Sequence, residues 1–335
     1  MTLTAIVYHG EQPRSDGRAL TISQRPTHSQ VVLLSILVIL VVLSTSRTAA
    51  AWSNGGPSSS TSAVEYGTHD WIAQHALDWI PAAQKQFLED NLNSYLYGTE
   101  LPDLRDAVGG DGIGDSQSHH VYFYSDGRLQ DDAGARRARE TFANALDRLR
   151  TGDYAGAAKW AGTMAHYIGD LGVFGHVMGA STAWGAENHH DDYETHVKDL
   201  TSSYTSSYDA SLAFDGNLEN LSAYDAAVRL AHDTTFDESG QGHTAVWMDQ
   251  NYDWSNAAFN ARVGRSLCLS TNAVADVLHN LWVEAGMPSR SLYDFLAENA
   301  LVIAFIIILL LTPVVVVVFA NSKKRRKLRR NRRRR

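Results

Sequence analysis

Cysteine is all but absent: Cys268 is the only one in 335 residues. That excludes an internal disulfide framework, so stability must come from a buried core or from bound groups. Long stretches of two-residue alternation are also few, which argues against a sheet-built domain. Basic residues are scarce between positions 52 and 297, where 14 stand against 34 acidic ones, a net charge of −20. The whole-chain value of −8 hides this, because eleven basic residues crowd into 321–335. So acidic a surface repels polyanions and argues against a general nucleic-acid binder. It also fits a protein working in high salt, where self-repulsion is screened.

What the chain does have begins with two apolar runs. VVLLSILVILVVL (31–43), with Ala49-Ala50-Ala51 behind it, has the length of a signal-peptide core followed by a small-residue cleavage site. Cleavage there makes 1–51 a removable signal region and Trp52 the mature N-terminus. LVIAFIIILLLTPVVVVVFA (301–320) is long enough as a helix to cross a hydrocarbon core of about 30 Å, and Pro313 is tolerable there as a kink. Residues 298–320 are therefore expected to form a transmembrane helix. The basic tail 321–335 then belongs in the cytoplasm, against anionic lipid headgroups. The expectation is a single-pass cell-membrane protein with 52–297 as a single ectodomain outside.

Within 52–297 the apolar residues recur at helical spacing. Trp71, Ile72, Ala76, Trp79 and Ile80 form one stripe, with Thr68 as its expected N-cap. Further helices are expected over 84–97, 133–150, 154–170, 218–233 and 271–286. HHVYFY (119–124) reads as extended or as a loop edge, and 234–262 carries no readable period. The fold class is all-α, one domain without internal repeats. DGIGD (111–115) lacks the closing Glu of a calcium loop. Asn220-Leu221-Ser222 is a glycosylation sequon of a kind that is common by chance.

The densest chemistry lies in 162–198, which holds His166, Asp170, His176, His190 and Glu194. A His and a carboxylate four residues apart on a helix lie about 40° apart around its axis, so both face one cavity. That spacing occurs twice, with His176 between. Imidazole and carboxylate together suit a zinc-type ion. The bland reading, solvated i,i+4 pairs, fits poorly with the apolar Met164, Ile168, Val173 and Phe174 alongside. His75, His189, His196, His232, His243 and His279 read as surface or core side chains.

Together these residues resemble the zinc-dependent phospholipase C family, relatives of the S1/P1 nucleases. The likeness runs through AWSNGG with Trp52, THDWIAQHALDWI with His69, YGTELPD with Asp103, SHHVYFY with His120, HYIGDLGVFGH with His166, Asp170 and His176, and HHDDYE with His190 and Glu194. It covers 52–194; 200–297 carries no matching motif. Where the family often has Pro before the third His of the central motif, this chain has Val173-Phe174-Gly175. Asp106 competes with Asp103, which the Gly-x-x-x-Pro-Asp turn favours, and His119 with His120, which the aromatic run directly after it favours.

The resemblance implies an all-α phosphoric diester hydrolase with three Zn2+ ions. Asp103, His120, His166 and Asp170 would hold one, and Trp52, through its free amino group and carbonyl, would hold a second with His69 and the bridging Asp170. His176, His190 and Glu194 would hold the third. Asp103 is the expected general base, acting on a water that attacks phosphorus. Gly172 and Gly175 are expected to permit the bend that brings His176 back towards His166. Glu194, where the nucleases usually carry Asp, and the short gap from His176 to His190 favour phospholipid headgroups over nucleic acid. A single-strand nuclease and a non-catalytic, metal-stabilised binding ectodomain are the alternatives.

Overall fold

Helices form wherever the apolar stripe recurs, and the computed structural model describes them over residues 62, 64–104, 113 and 118–287. All of these belong to one compact unit, Ala49–Arg335; the other, Met1–Thr48, lies outside the described residues. The signal region, Trp52, Asp106, the expected transmembrane helix and the basic tail also lie outside them. Among the described residues no helix is long and apolar enough to cross a membrane.

The elements in chain order are α1 (Thr68–Trp79), α2 (Ala82–Glu89), α3 (Leu92–Glu100), β1 (Tyr122–Phe123), β2 (Leu129–Asp131), α4 (Ala133–Arg150), α5 (Tyr154–Asp170), α6 (His190–Leu200), α7 (Ala223–Phe236), α8 (Ala245–Gln250) and α9 (Ala257–Glu284). A 3₁₀ turn, Phe174–His176, follows α5, and another, Asp209–Ser211, follows α6. The only sheet among the described residues is the antiparallel pair β1–β2.

Several sequence expectations shift. The helix expected over 84–97 is two, interrupted at Asp90-Asn91. The last helix begins fourteen residues before the expected 271, at Ala257, where Asn256 Oδ1 accepts from the Ala258 amide and caps it. Thr68 is not the N-cap of α1: that position is Gly67, whose amide donates to Asp70 Oδ2 at 2.9 Å. The Thr68 hydroxyl meets that of Thr201 at 2.9 Å instead. This ties the start of α1 to the end of α6.

Helix α5 is the centre of the domain. Ala157, Ala158, Ala161, Met164, Ala165 and Ile168 are buried on it, and α1, α2, α3, α4, α7 and α9 all pack against it. Its small residues let neighbours come close: Gly162 meets the backbone of α3 at Tyr95, where a methyl group would collide. On the far side, buried Arg262 of α9 pairs with Asp233 of α7 at 3.0 Å.

Asp276, also on α9, accepts from the Glu219 amide at 2.8 Å. Burial pushes its carboxyl up to about 6. Its folded pKa then exceeds that of an unfolded aspartate, so this group costs stability as pH rises from about 4 to about 6. Asp276→Asn should raise the melting temperature at pH 7 by about 2–4 °C and leave it unchanged below pH ~4. A drop at pH 7 in a thermal melt would refute the assignment.

Candidate metal centre

Six segments bring titratable side chains to the C-terminal end of α5. Helix α1 supplies His69 on its first turn, the turn after α3 supplies Asp103, and the extended chain before β1 supplies His119. Helix α5 ends with His166 and Asp170, the 3₁₀ turn carries His176, and α6 opens with His190 and Glu194. The carbonyl end of a helix favours a cation. All of these residues except Asp103 are buried.

Asp170 lies at the middle. Its Oδ2 is 2.7 Å from His119 Nδ1 and 3.3 Å from His166 Nε2. Its Oδ1 is 3.1 Å from His69 Nε2 and 4.0 Å from His176 Nε2. His166 Nε2 also lies 3.5 Å from Asp103 Oδ1. Beyond His176, the Nε2 of His190 stands 2.8 Å from Glu194 Oε1 and 3.2 Å from His176 Nε2. The rings of His69 and His166 stack with centroids 3.9 Å apart. Three groups have atoms close enough to share an ion: His69, His166 and Asp170; Asp103, His119 and His166; His176, His190 and Glu194.

The donor set fits metal better than it fits itself. His69 Nδ1 and Nε2, Asp170 Oδ1 and Glu194 Oε2 are buried with no hydrogen-bond partner among the described residues. His69 Nε2 and Asp170 Oδ1 stand 3.1 Å apart without the geometry of a hydrogen bond. Unpartnered buried polar atoms cost about 1–3 kcal/mol each, so a fold that gathers them calls for a cation. His166 Nδ1 is 2.6 Å from the Thr99 carbonyl, which can only accept. Nδ1 therefore carries the proton and Nε2 turns its lone pair into the cluster.

Charge balance points the same way. Burial pushes His69 down to about 3 and His176 well below the usual imidazole range. It pushes Glu194 up to about 7 and Asp103 up to about 6. Burial also works against the charge of Asp170, but the imidazoles of His166 and His176 outweigh it and hold that carboxyl well below its usual range. Without a bound cation, burial disfavours the very carboxylate charges that a divalent ion would favour.

One expectation is overturned. His119, not His120, enters the cluster. The chain from 119 to 123 is extended, so side chains alternate: His119, Val121 and Phe123 point inward and are buried. His120 and Tyr122 take the other face, their rings stacked with centroids 4.2 Å apart, and His120 Nε2 lies 3.3 Å from Asp131. The signal was in HHVYFY itself, since Val121 and Phe123 mark the inward register that His119 shares. The aromatic run marked the stretch as extended or a loop edge, but not the parity of its side chains.

The bend after α5 also works differently from expectation. Neither Gly172 nor Gly175 has positive φ. What these positions need is the absence of a Cβ: at Gly172 it would collide with Ser270 Oγ, and at Gly175 it would stand 2.5 Å from the His190 ring. Gly175→Ala should cost about 1–3 kcal/mol by overpacking and lower the zinc content by one equivalent, by displacing His190. Unchanged melting and unchanged metal content would show that the ring yields freely.

Beside the cluster opens a cavity of about 250 Å³, lined by His119, His120, Tyr122, His176, Glu187 and His190 together with small residues and Met178. Among the described residues no Lys or Arg lines it. The remaining histidines lie elsewhere: His75 pairs with Asp78 at 2.9 Å, His189 with Asp249 at 3.2 Å, and His279 with Gln84 at 2.8 Å.

Solved structures to which the chain is similar include the alpha toxin of Clostridium absonum, at 18% identity and a TM-score of 0.47, covering 70% of this chain and 66% of that one. Another is the Clostridium perfringens alpha-toxin from avian strain SWCP, at 16% identity and a TM-score of 0.43, covering 71% and 68%. The chain thus spans about two thirds of the length of these proteins. No curated protein sequence matches it. The profile of the family described as zinc dependent phospholipase C matches residues 68–250, more than half of the chain and every described residue of the cluster. The chain belongs to the zinc dependent phospholipase C family.

Proposed function

We propose that this protein is a zinc-dependent phosphoric diester hydrolase of the phospholipase C type, cutting phospholipid between the glycerol and the phosphorylated headgroup. The observation that carries this reading is the buried set His69, Asp103, His119, His166, Asp170, His176, His190 and Glu194 beside an open cavity. Three Zn2+ ions are proposed. Asp103, His119, His166 and Asp170 would hold one, and His69 and Asp170, with Trp52, a second. His176, His190 and Glu194 would hold the third. When bound, zinc supplies an acidified water and neutralises charge on phosphoryl oxygens.

The chain's own residues supply orientation and proton transfer. Asp170 presents a different oxygen to each side of the cluster, which suits a bridging carboxylate. Thr99 locks the His166 ring through its carbonyl. Asp103 is the least enclosed acid of the set, and burial pushes it up to about 6, which suits a general base working near neutrality.

Lipid is favoured over nucleic acid by the net charge of −20 across 52–297 and by the absence, among the described residues, of any cationic side chain from the cavity wall. The apolar segment 298–320 would tether the enzyme to the cell membrane, with 52–297 outside and the basic tail 321–335 against the cytoplasmic headgroups. The test is to load the purified protein with zinc and assay phospholipid vesicles and single-stranded DNA in parallel. Release of phosphorylated headgroup is expected. Cleavage of DNA alone would replace this reading with a nuclease. Full zinc content without hydrolysis of either would leave a metal-stabilised binding domain.

A further inference from the structure

The β1–β2 hairpin is the one described sheet in a helical domain, and it stands at the cavity. Its strand alternation explains why. Val121 and Phe123 anchor it in the core, while Tyr122 on the opposite face becomes a cavity wall. The chain then runs through an exposed tip, where Tyr124 is 44% and Leu129 38% exposed. Two hydrogen bonds lace the hairpin to the segment 179–186: Gln130 Nε2 donates to the Ser181 carbonyl at 3.1 Å, and Trp184 Nε1 donates to the Phe123 carbonyl at 2.9 Å. A Cβ on Gly179 would stand 2.9 Å from the Tyr122 ring, so the two segments are in close contact there as well. Segment 179–186 reads GASTAWGA and carries no charged side chain. Gly179, Ala180 and Ala186 line the cavity, and Ala180 and Ala186 are exposed.

Single exposed apolar side chains are ordinary on protein surfaces. These differ in being continuous with the wall of the site, on a domain whose net charge of −20 makes a rim tip without net charge conspicuous, Glu187 being, among the described residues, the one acidic side chain of the cavity lining. The one cation of the tip, Arg128, is neutralised by Asp126 at 2.7 Å and lies over the Tyr124 ring, 5.2 Å from its centroid. A rim of one tyrosine, one leucine, small residues and an internally paired arginine matches the headgroup level of a zwitterionic bilayer, where amphipathic rings settle. Anionic headgroups would find no unpaired cation on the tip.

We infer that the hairpin tip 124–129 and segment 179–186 form a membrane-docking rim that seats the cavity entrance on a zwitterionic phospholipid surface. This rests on the lipid-substrate reading above. Its distinct content is that Tyr124 and Leu129 act on access to bilayer lipid and not on chemistry.

The test uses the zinc-loaded full chain in phosphatidylcholine proteoliposomes, with Cys268→Ser and a nitroxide on Ser125→Cys. The label should be more accessible to oxygen than to a polar relaxation agent, and Tyr124→Ser with Leu129→Ser should abolish that difference. The same double variant should lower hydrolysis of vesicle phospholipid about tenfold, since interfacial binding scales with apolar area inserted. Hydrolysis of a water-soluble nitrophenyl phosphodiester should stay within about twofold, because the reacting groups are untouched. A label equally open to water in the presence of lipid overturns the inference, and so do equal losses on both substrates. Shelter that persists in lipid-free amphipol would assign the rim to a second copy of the chain and overturn it too. If the label is sheltered by lipid but wild-type protein releases no headgroup, docking stands and the phospholipase reading falls.

Discussion

His119→Ala should remove at least one zinc equivalent and lower phosphodiester hydrolysis by on the order of 10³-fold, while His120→Ala keeps the full metal content. The two residues are adjacent, equal in chemistry and opposite in outcome. His119 is buried with Nδ1 at 2.7 Å from Asp170, whereas His120 faces the cavity and pairs with Asp131. Losing a ligand removes several kcal/mol of charge stabilisation, and each 1.36 kcal/mol is about tenfold in rate. His120→Ala removes only a cavity wall that stacks on Tyr122, so a change of about tenfold or less is expected, and in KM more than in metal content. Metal analysis with steady-state kinetics on both variants decides the matter. Zinc loss in the His120 variant, with retention in the His119 variant, would invert the strand parity on which the site is built.

Chelation should be the strongest perturbation of stability. The apo-protein leaves Asp170, Glu194 and five imidazoles buried together, with several of their polar atoms unpartnered. A ligand present at a thousand times its dissociation constant stabilises by about 4 kcal/mol, and each kcal/mol shifts the melting temperature by about 2–4 °C at this domain size. Removing one such ion should therefore lower the melting point by about 8–16 °C, and removing further ions by more. Restoring zinc should recover it. Asp170→Asn should reproduce most of the loss in a single substitution, because its two oxygens face opposite sides of the cluster. A melting curve that chelator does not move would show that the cluster satisfies itself without metal.

Much of this was legible before any fold was known. His166 with Asp170 and His190 with Glu194 share helical spacing, so their convergence follows from helix geometry alone. The stripe of α1 placed His69, and the short stretch 119–124 read as extended or a loop edge. The long final helix was harder to read, because 257–270 mixes Asn, Arg, Ser and Cys with its apolar residues. Those polar groups are accommodated by tertiary partners, as Arg262 is by Asp233, which no local period can announce. The grouping of residues far apart in the chain was equally out of reach. It depends on α5 ending at Asp170, on the 3₁₀ turn that carries His176, and on Gly175 making room for the His190 ring.

By itself, then, the sequence determined the helical class, the absence of disulfides, the acidic surface and the kinds of side chain that meet in the site, because composition and local period suffice for these. Only the tertiary structure decided that His119 and not His120 faces Asp170, that Gly172 and Gly175 serve close approach and not left-handed backbone, and that the hairpin and segment 179–186 meet at the rim of the cavity. The reason is physical. A one-residue choice in an extended strand costs nothing locally and is set by which neighbour fills the core, and a rim exists only where segments distant in sequence meet.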